Sequence, residues 1–143
     1  MPNKIVSFVT LGVTDLDRSR RFYKALGWTE SSGSQAEVAF FQVGSIAFAL
    51  FSRESLADDA NVSPEGSRFP GFALAHNVTS EADVEATLLE AVTVGGRLLR
   101  PAEKAPWGGF RGYFADPDGF LWEVCYNPFF PIDEQGFVQL PKL

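Results

Sequence analysis

One order of elements occurs twice in this 143-residue chain, and that repetition restricts the fold more than any single motif. In the first half, Ile5 to Val13 has the branched apolar run of a buried strand. Asp15 then stands at the N-cap of a helix in which Leu16, Phe22, Tyr23 and Leu26 recur at helical spacing, and Gly27 closes it in a left-handed conformation. Trp28 to Glu30 reads as a short strand. Glu37 to Val43 and Ile46 to Phe51 read as two strands joined tightly at Gly44-Ser45. The second half repeats the order: a strand from Phe72 to Val78, a capping box at Ser80 and Asp83, a helix with Val84, Leu88 and Val92 on its inner face, and a stop at Gly95-Gly96. Arg97 to Arg100 begins the next strand, and Phe110 to Ala115 and Phe120 to Tyr126 form a hairpin turned by Asp116-Pro117-Asp118-Gly119. Each half is β-α-β-β-β, which implies an internal duplication.

The expected fold class is α+β, a single domain over 1–143 built from two modules. Module one covers about 4–52, a connector 53–71 with a short helix near Glu54 to Ala60, and module two about 72–127. The tail, 128–143, carries three prolines together with Phe129, Phe130, Phe137 and Leu140. So many apolar residues predict that it packs in extended form over the domain or over a second subunit.

Composition narrows the partners. The net charge of −6 disfavours nucleic acid, which needs clustered Lys and Arg. No apolar run is long enough to predict a membrane span. Met1-Pro2-Asn3-Lys4 lacks the apolar stretch of a signal peptide, and the single cysteine, Cys125, allows no intrachain disulfide; both fit a reducing cytoplasm. Fourteen phenylalanines imply either a rich core or an aromatic-lined cavity.

Two stretches carry a resemblance. Val9-Thr10-Leu11-Gly12-Val13-Thr14-Asp15-Leu16 runs into Arg21-Phe22-Tyr23-Lys24-Ala25-Leu26-Gly27-Trp28, and Gly112-Tyr113-Phe114-Ala115-Asp116-Pro117-Asp118-Gly119 runs into Leu121-Trp122-Glu123-Val124. With the duplicated layout, the chain resembles the glyoxalase / bleomycin-resistance / dioxygenase (vicinal oxygen chelate) superfamily over roughly 4–127. The resemblance implies two paired βαβββ modules forming a curved, half-open barrel, and a homodimer. It also implies a cleft that commonly holds a divalent metal, used by relatives for lyase, dioxygenase or thiol-transfer chemistry; other relatives sequester an antibiotic without one. The fold alone does not choose among these.

The resemblance assigns the four metal positions to Phe8, Ala49, Ala73 and Glu123, of which only Glu123 offers a ligand atom. A catalytic divalent ion needs about three protein ligands, so no metal and no other cofactor is expected. The only histidine, His76, is three residues past Ala73, an odd separation that turns it toward the helix side of the strand.

Strand alternation counted from these positions predicts the cleft lining. It gives Phe8, Thr10 and Gly12 from the first strand, and Glu37, Ala39, Phe41, Ala47, Ala49 and Phe51 from the first hairpin. The second module adds Ala73, Ala75, Asn77, Arg111, Tyr113, Leu121, Glu123 and Cys125. Small alanines leave volume, aromatic residues wall it, and Arg111, Glu123, Glu37, Thr10 and Asn77 would orient a ligand. Trp107, before Gly108-Gly109, is either a lid or a ring packed at the hairpin mouth. Arg111 and Glu123 are expected to pair as ions; if Arg111 turns outward, Glu123 is left desolvated and available as a general base.

The first expectation is therefore a protein that binds a small, partly apolar or aromatic molecule through Phe8, Thr10, Glu37, Phe41, Ala49, Phe51, Asn77, Trp107, Arg111, Tyr113 and Glu123. The alternatives are a glyoxalase-related lyase or dioxygenase-like enzyme, or a metal-free acid/base enzyme using Glu123, Tyr113 and Arg111. Asp116-Pro117-Asp118-Gly119 reads as a turn rather than an ion loop.

Overall fold

A computed structural model describes residues 8–61, 63–66, 70 and 73–140. The expected strand starts at Ile5 and Phe72, part of the connector, and the last three tail residues lie outside the described residues. The chain divides into two compact units, Met1–Arg68 and Phe69–Leu143.

Unit 1 runs β1 (Phe8–Val13), α1 (Leu16–Ala25), β2 (Val38–Val43), β3 (Ile46–Ser52) and α2 (Arg53–Asp59). Its sheet has the order β1-β3-β2, with β1 parallel to β3 and β2 antiparallel to it. Asp15 caps α1 by accepting a hydrogen bond from the Arg18 backbone N–H at 3.0 Å, and Gly27 follows the helix at φ +95°. Phe22 and Tyr23 bury the inner face of α1 completely enough to contribute about 1.5–3 kcal/mol each. Tyr23 is the hub: its ring centroid lies 5.0 Å from Trp28, 5.0 Å from Phe48 and 6.4 Å from Phe41.

Trp28 to Glu30 forms no strand; one bridge, Glu30 to Phe41, stands where the duplication predicts one. The outer edge of β2 is instead satisfied by its own upstream loop. Ser31 N–H donates to Phe40 O at 2.7 Å, Gln35 N–H to Val38 O at 2.9 Å, and Phe40 N–H to Ser34 Oγ at 2.9 Å. A loop rich in serine and glycine prefers such local bonds to a regular ladder.

Unit 2 runs β4 (Leu74–Asn77), α3 (Glu81–Thr93), β5 (Arg97–Lys104), β6 (Phe110–Ala115) and β7 (Leu121–Tyr126), in the order β4-β7-β6-β5. Ser80 Oγ caps α3 through the Asp83 N–H at 3.1 Å. Val84, Leu88 and Ala91 form its buried stripe; the expected Val92 is 41% exposed, because the stripe advances by four and then three residues. Leu88 presses on Gly112 of β6, where a Cβ would meet its Cδ1 at 2.4 Å and the Arg100 carbonyl oxygen at 2.8 Å. Phe114 and Trp122 stack beside this contact, with planes 2° apart. The Asp116–Gly119 segment is a turn: Asp116 Oδ1 accepts from the N–H groups of Asp118 and Phe120, both at 2.9 Å.

The tail is not extended. A bridge between Ile132 and Val138 closes a loop around Asp133, whose Oδ1 accepts from the Gln135 and Phe137 N–H groups. Phe129 and Leu140 are left more than half exposed. Among the described residues no helix is long and apolar enough to cross a membrane.

His76 lies on β4 opposite Val124, on the side that α3 covers. The residue remains exposed at the sheet edge, but partial loss of water around the imidazole lowers its pKa below the ordinary 6.5, against an opposing pull from Glu90. Near and below 6.5 the unfolded chain therefore binds more protons at this group than the folded one, and stability falls as pH drops through that window. His76→Gln should flatten the decline in Tm between neutral and mildly acidic pH. Gly112→Ala should destabilise unit 2 by about 1–3 kcal/mol in urea unfolding, through overpacking against Leu88 and a backbone carbonyl.

Candidate functional site

Each sheet has one face packed by the helix that crosses from its first strand. In unit 2, Gly112, Phe114, Trp122 and Val124 take the α3 side, so alternation sends Arg111, Tyr113, Glu123 and Cys125 to the other. Tyr113 and Glu123 are direct cross-strand partners, and the phenol O–H donates to Glu123 Oε2 at 3.1 Å. Burial pushes the Tyr113 phenol above its ordinary 10.0, and the neighbouring Glu123 charge adds to this; Arg111 and Arg100 pull the other way. Ala75 lies opposite Glu123 on the parallel neighbour β4 and is exposed; Asn77 lies opposite Cys125 and is half-buried. Burial and the Glu123 charge push the Cys125 thiol up to about 11, which keeps it a neutral packing group.

The expected Arg111–Glu123 ion pair does not form. Arg111 faces Glu103 across β5 and β6, with Nη1 3.5 Å from Glu103 Oε1. The same carboxylate oxygen lies 2.6 Å from Nη2 of Arg100 and accepts from its Nε at 2.6 Å. Those contacts hold the Glu103 carboxyl below its ordinary pKa of 4.5, the Arg100 hydrogen bond and charge first and Arg111 adding less. Arg111 is buried to 7% exposure, and among the described residues its Nη1 has no hydrogen-bond partner. Alternation along the sequence does not find Glu103 and Arg100, because β5 continues through Pro101 with two register shifts.

In unit 1 the face away from α1 carries Phe8, Thr10, Ala47, Ala49 and Phe51, as alternation predicts for β1 and β3. Strand β2 is in the opposite phase from the one expected. Phe41 pairs with Phe48 and Ala39 with Leu50, so Phe41 points at Tyr23 of α1 and is 1% exposed; Phe40 takes its place on the side away from α1, pairing with Ala49 and meeting Phe8 edge-on at 6.1 Å. Glu37 sits in the turn before β2, exposed, and not on a strand. Gly12 is covered by α2, since a Cβ there would lie 3.1 Å from the Arg53 Cα. An open hollow of about 240 Å³ remains beside Phe8, Phe40 and Ala47. Trp107 lies in the β5–β6 turn, 48% exposed.

The strand order, the crossing helices and the faces opposite them can be compared with known proteins. A family model described as the Glyoxalase/Bleomycin resistance protein/Dioxygenase superfamily matches residues 5–124. The chain belongs to this superfamily. A crystal structure of a glyoxalase-related enzyme from Fulvimarina pelagi is 39% identical, with a TM-score of 0.87 over 98% of this chain and 100% of that one. A lactoylglutathione lyase from Agrobacterium tumefaciens (22% identity, TM-score 0.67, 88% of this chain and 96% of that one) shares the fold. So does a glyoxalase/bleomycin resistance protein/dioxygenase family enzyme from Burkholderia phytofirmans PsJN (18% identity, TM-score 0.74, 84% and 96%). Comparison with curated proteins gives no match.

The residues that the resemblance assigns to the metal positions do not fit a divalent ion. Phe8 and Ala49 are hydrocarbon, Ala73 is an exposed alanine, and Glu123 is engaged by Tyr113. Among the described residues there is no group of three or more His, Cys, Asp or Glu side chains placed to hold a metal. What this face offers chemically is a carboxylate with a phenol on it and a guanidinium whose Nη1 is held only by a long ion contact, beside small side chains.

In an alkaline spectrophotometric titration, the Tyr113 phenol should ionise above the ordinary range. Glu123→Gln removes the raising charge and should bring that transition down, leaving the part due to burial.

Proposed function

We propose that this superfamily member binds a small, partly apolar or aromatic molecule on the helix-free face of its second sheet. The observation that carries the reading is the Tyr113–Glu123 hydrogen bond next to exposed Ala75, with Arg111 on the same face. Polar groups are fixed in place there, and an alanine leaves room for a ligand against them. The hollow beside Phe8, Phe40 and Ala47 gives unit 1 the same mixture of small and aromatic side chains. Exposed Leu89, Val92 and Leu98, and the tail residues Phe129 and Leu140, support the homodimer that the family suggests. The single cysteine, buried as a thiol, fits a cytoplasmic protein.

A second reading is metal-free acid/base catalysis. Glu123 would accept a proton from a bound substrate while Tyr113 holds its second oxygen by the 3.1 Å hydrogen bond, and Arg111 would stabilise developing negative charge. The 39% identical relative is described as a glyoxalase-related enzyme, which favours keeping this reading.

Two thermal-shift series test the binding reading. Neutral aromatic fragments should raise Tm saturably, by the equivalent of about 2.7 kcal/mol at a hundredfold excess over Kd. Ala75→Trp should abolish that rise while leaving the ligand-free Tm near native; an unchanged response would overturn the site. Zn²⁺, Ni²⁺, Mn²⁺ and Fe²⁺ should give no such rise, and elemental analysis no stoichiometric ion. A bound ion would restore the lyase and dioxygenase readings.

A further inference from the structure

Two features near the β5–β6 turn bear on which small molecule this face takes. The first is the indole of Trp107. An added Cβ on Gly109 would lie 1.9 Å from Cζ3 and 2.1 Å from Cη2 of that ring, so the indole rests directly on the glycine backbone. Only a residue without a side chain permits this seat. Trp107 is nevertheless 48% exposed, so part of its surface is open for stacking. Gly109 is two residues before Arg111 on the run into β6, about 7 Å along the chain, and continuing the alternation of the strand back through Gly109 would put the indole on the Arg111–Tyr113 side.

The second feature is the charge balance at Arg111. Two guanidiniums, Arg100 and Arg111, share one carboxylate oxygen, Glu103 Oε1. Arg100 holds it at 2.6 Å, whereas Arg111 Nη1 is at 3.5 Å and makes no hydrogen bond among the described residues. The trio is left with one net positive charge, and the buried Nη1 donor of Arg111 is held only by a long 3.5 Å ion contact. Glu123, the other carboxylate on this face, is already engaged by Tyr113. A buried guanidinium donor that lacks a hydrogen bond of normal length is costly, and a planar anion relieves that cost with both charge and geometry.

We infer that unit 2 holds a subsite for a planar aromatic carboxylate, with the ring stacked on Trp107 and the carboxylate taken by Nη1 of Arg111. The inference rests on the proposal that this face binds a small molecule and adds the sign of the ligand's charge. It also gives Gly109 a role, since only a glycine there lets the benzo edge of Trp107 pack so close. Nη1 is shut from water as it stands, so entry of the carboxylate requires the side chains over it to part, and a hydrated inorganic ion is a poor competitor.

Isothermal titration calorimetry with 2-naphthoate, and with 2-naphthamide as its uncharged counterpart, tests this on the full chain. Native protein should bind the naphthoate about ten- to a hundredfold more tightly than the amide, the difference that a hydrogen bond to a charged group makes. Arg111→Met should remove that preference, and Gly109→Ala, by displacing the indole, should weaken both probes. Equal affinities of the native protein for the two probes would overturn the anion subsite while leaving small-molecule binding intact, whether or not the Arg111 variant folds. Unchanged binding in Gly109→Ala would overturn the stacking role of Trp107. Absence of binding by either probe would sink this inference and count against an aromatic ligand on this face altogether.

Discussion

In each unit the first strand pairs in parallel with the last, and the placement of core and site depends on that pairing. Parallel neighbours cannot be joined by a tight turn, so the chain must cross over, and the helix that makes the crossing covers one face of the sheet. Phe48 and Leu50 in unit 1, and Val124 and Trp122 in unit 2, are buried against that crossing. In unit 2 the opposite face is left without a helix among the described residues, and Glu123, Tyr113 and Arg111 stand there because they alternate with buried residues on the same strands. The site is a by-product of the topology: the residues that fold the sheet and those that offer chemistry occupy alternate positions.

The units share this plan but not its completeness. Unit 2 has a full outer strand, β5, whose Glu103 and Arg100 reach the candidate site, whereas among the described residues unit 1 has only the isolated bridges Glu30–Phe41 and Gln35–Val38 at that edge. The polar groups with clear geometry therefore gather in unit 2. Unit 1 supplies mostly hydrocarbon on its face away from α1, with Phe8, Phe40 and Ala47 around the hollow there.

Much of this is legible in the residues. The caps at Asp15 and Ser80, the glycine stops and the hairpin turns are local chemistry, and they set the element order almost to the residue. The shared face of Arg111, Tyr113 and Glu123 follows from alternation on two regular strands. Alternation fails on β2, where Ala39-Phe40-Phe41 offers an apolar residue in either phase; the packing of Tyr23 against Phe41, a contact between distant segments, decides between them. The partner of Arg111 is illegible for a different reason. Glu103 comes into register with Arg111 only through the irregular pairing of β5 with β6, and no periodicity in the sequence encodes such a shift.

The loop before β2 has a consequence for how the protein behaves at high concentration. An outer strand with unpaired amides is a template on which a second chain can add, and such growth does not close on itself. Ser31, Ser34 and Gln35 occupy those amides and carbonyls at Val38 and Phe40, so the chain blocks its own most adhesive edge with ordinary polar residues. A plug thus stands where unit 1 lacks an outer strand, and the edge is protected by two loop N–H groups and one serine hydroxyl rather than by a larger core.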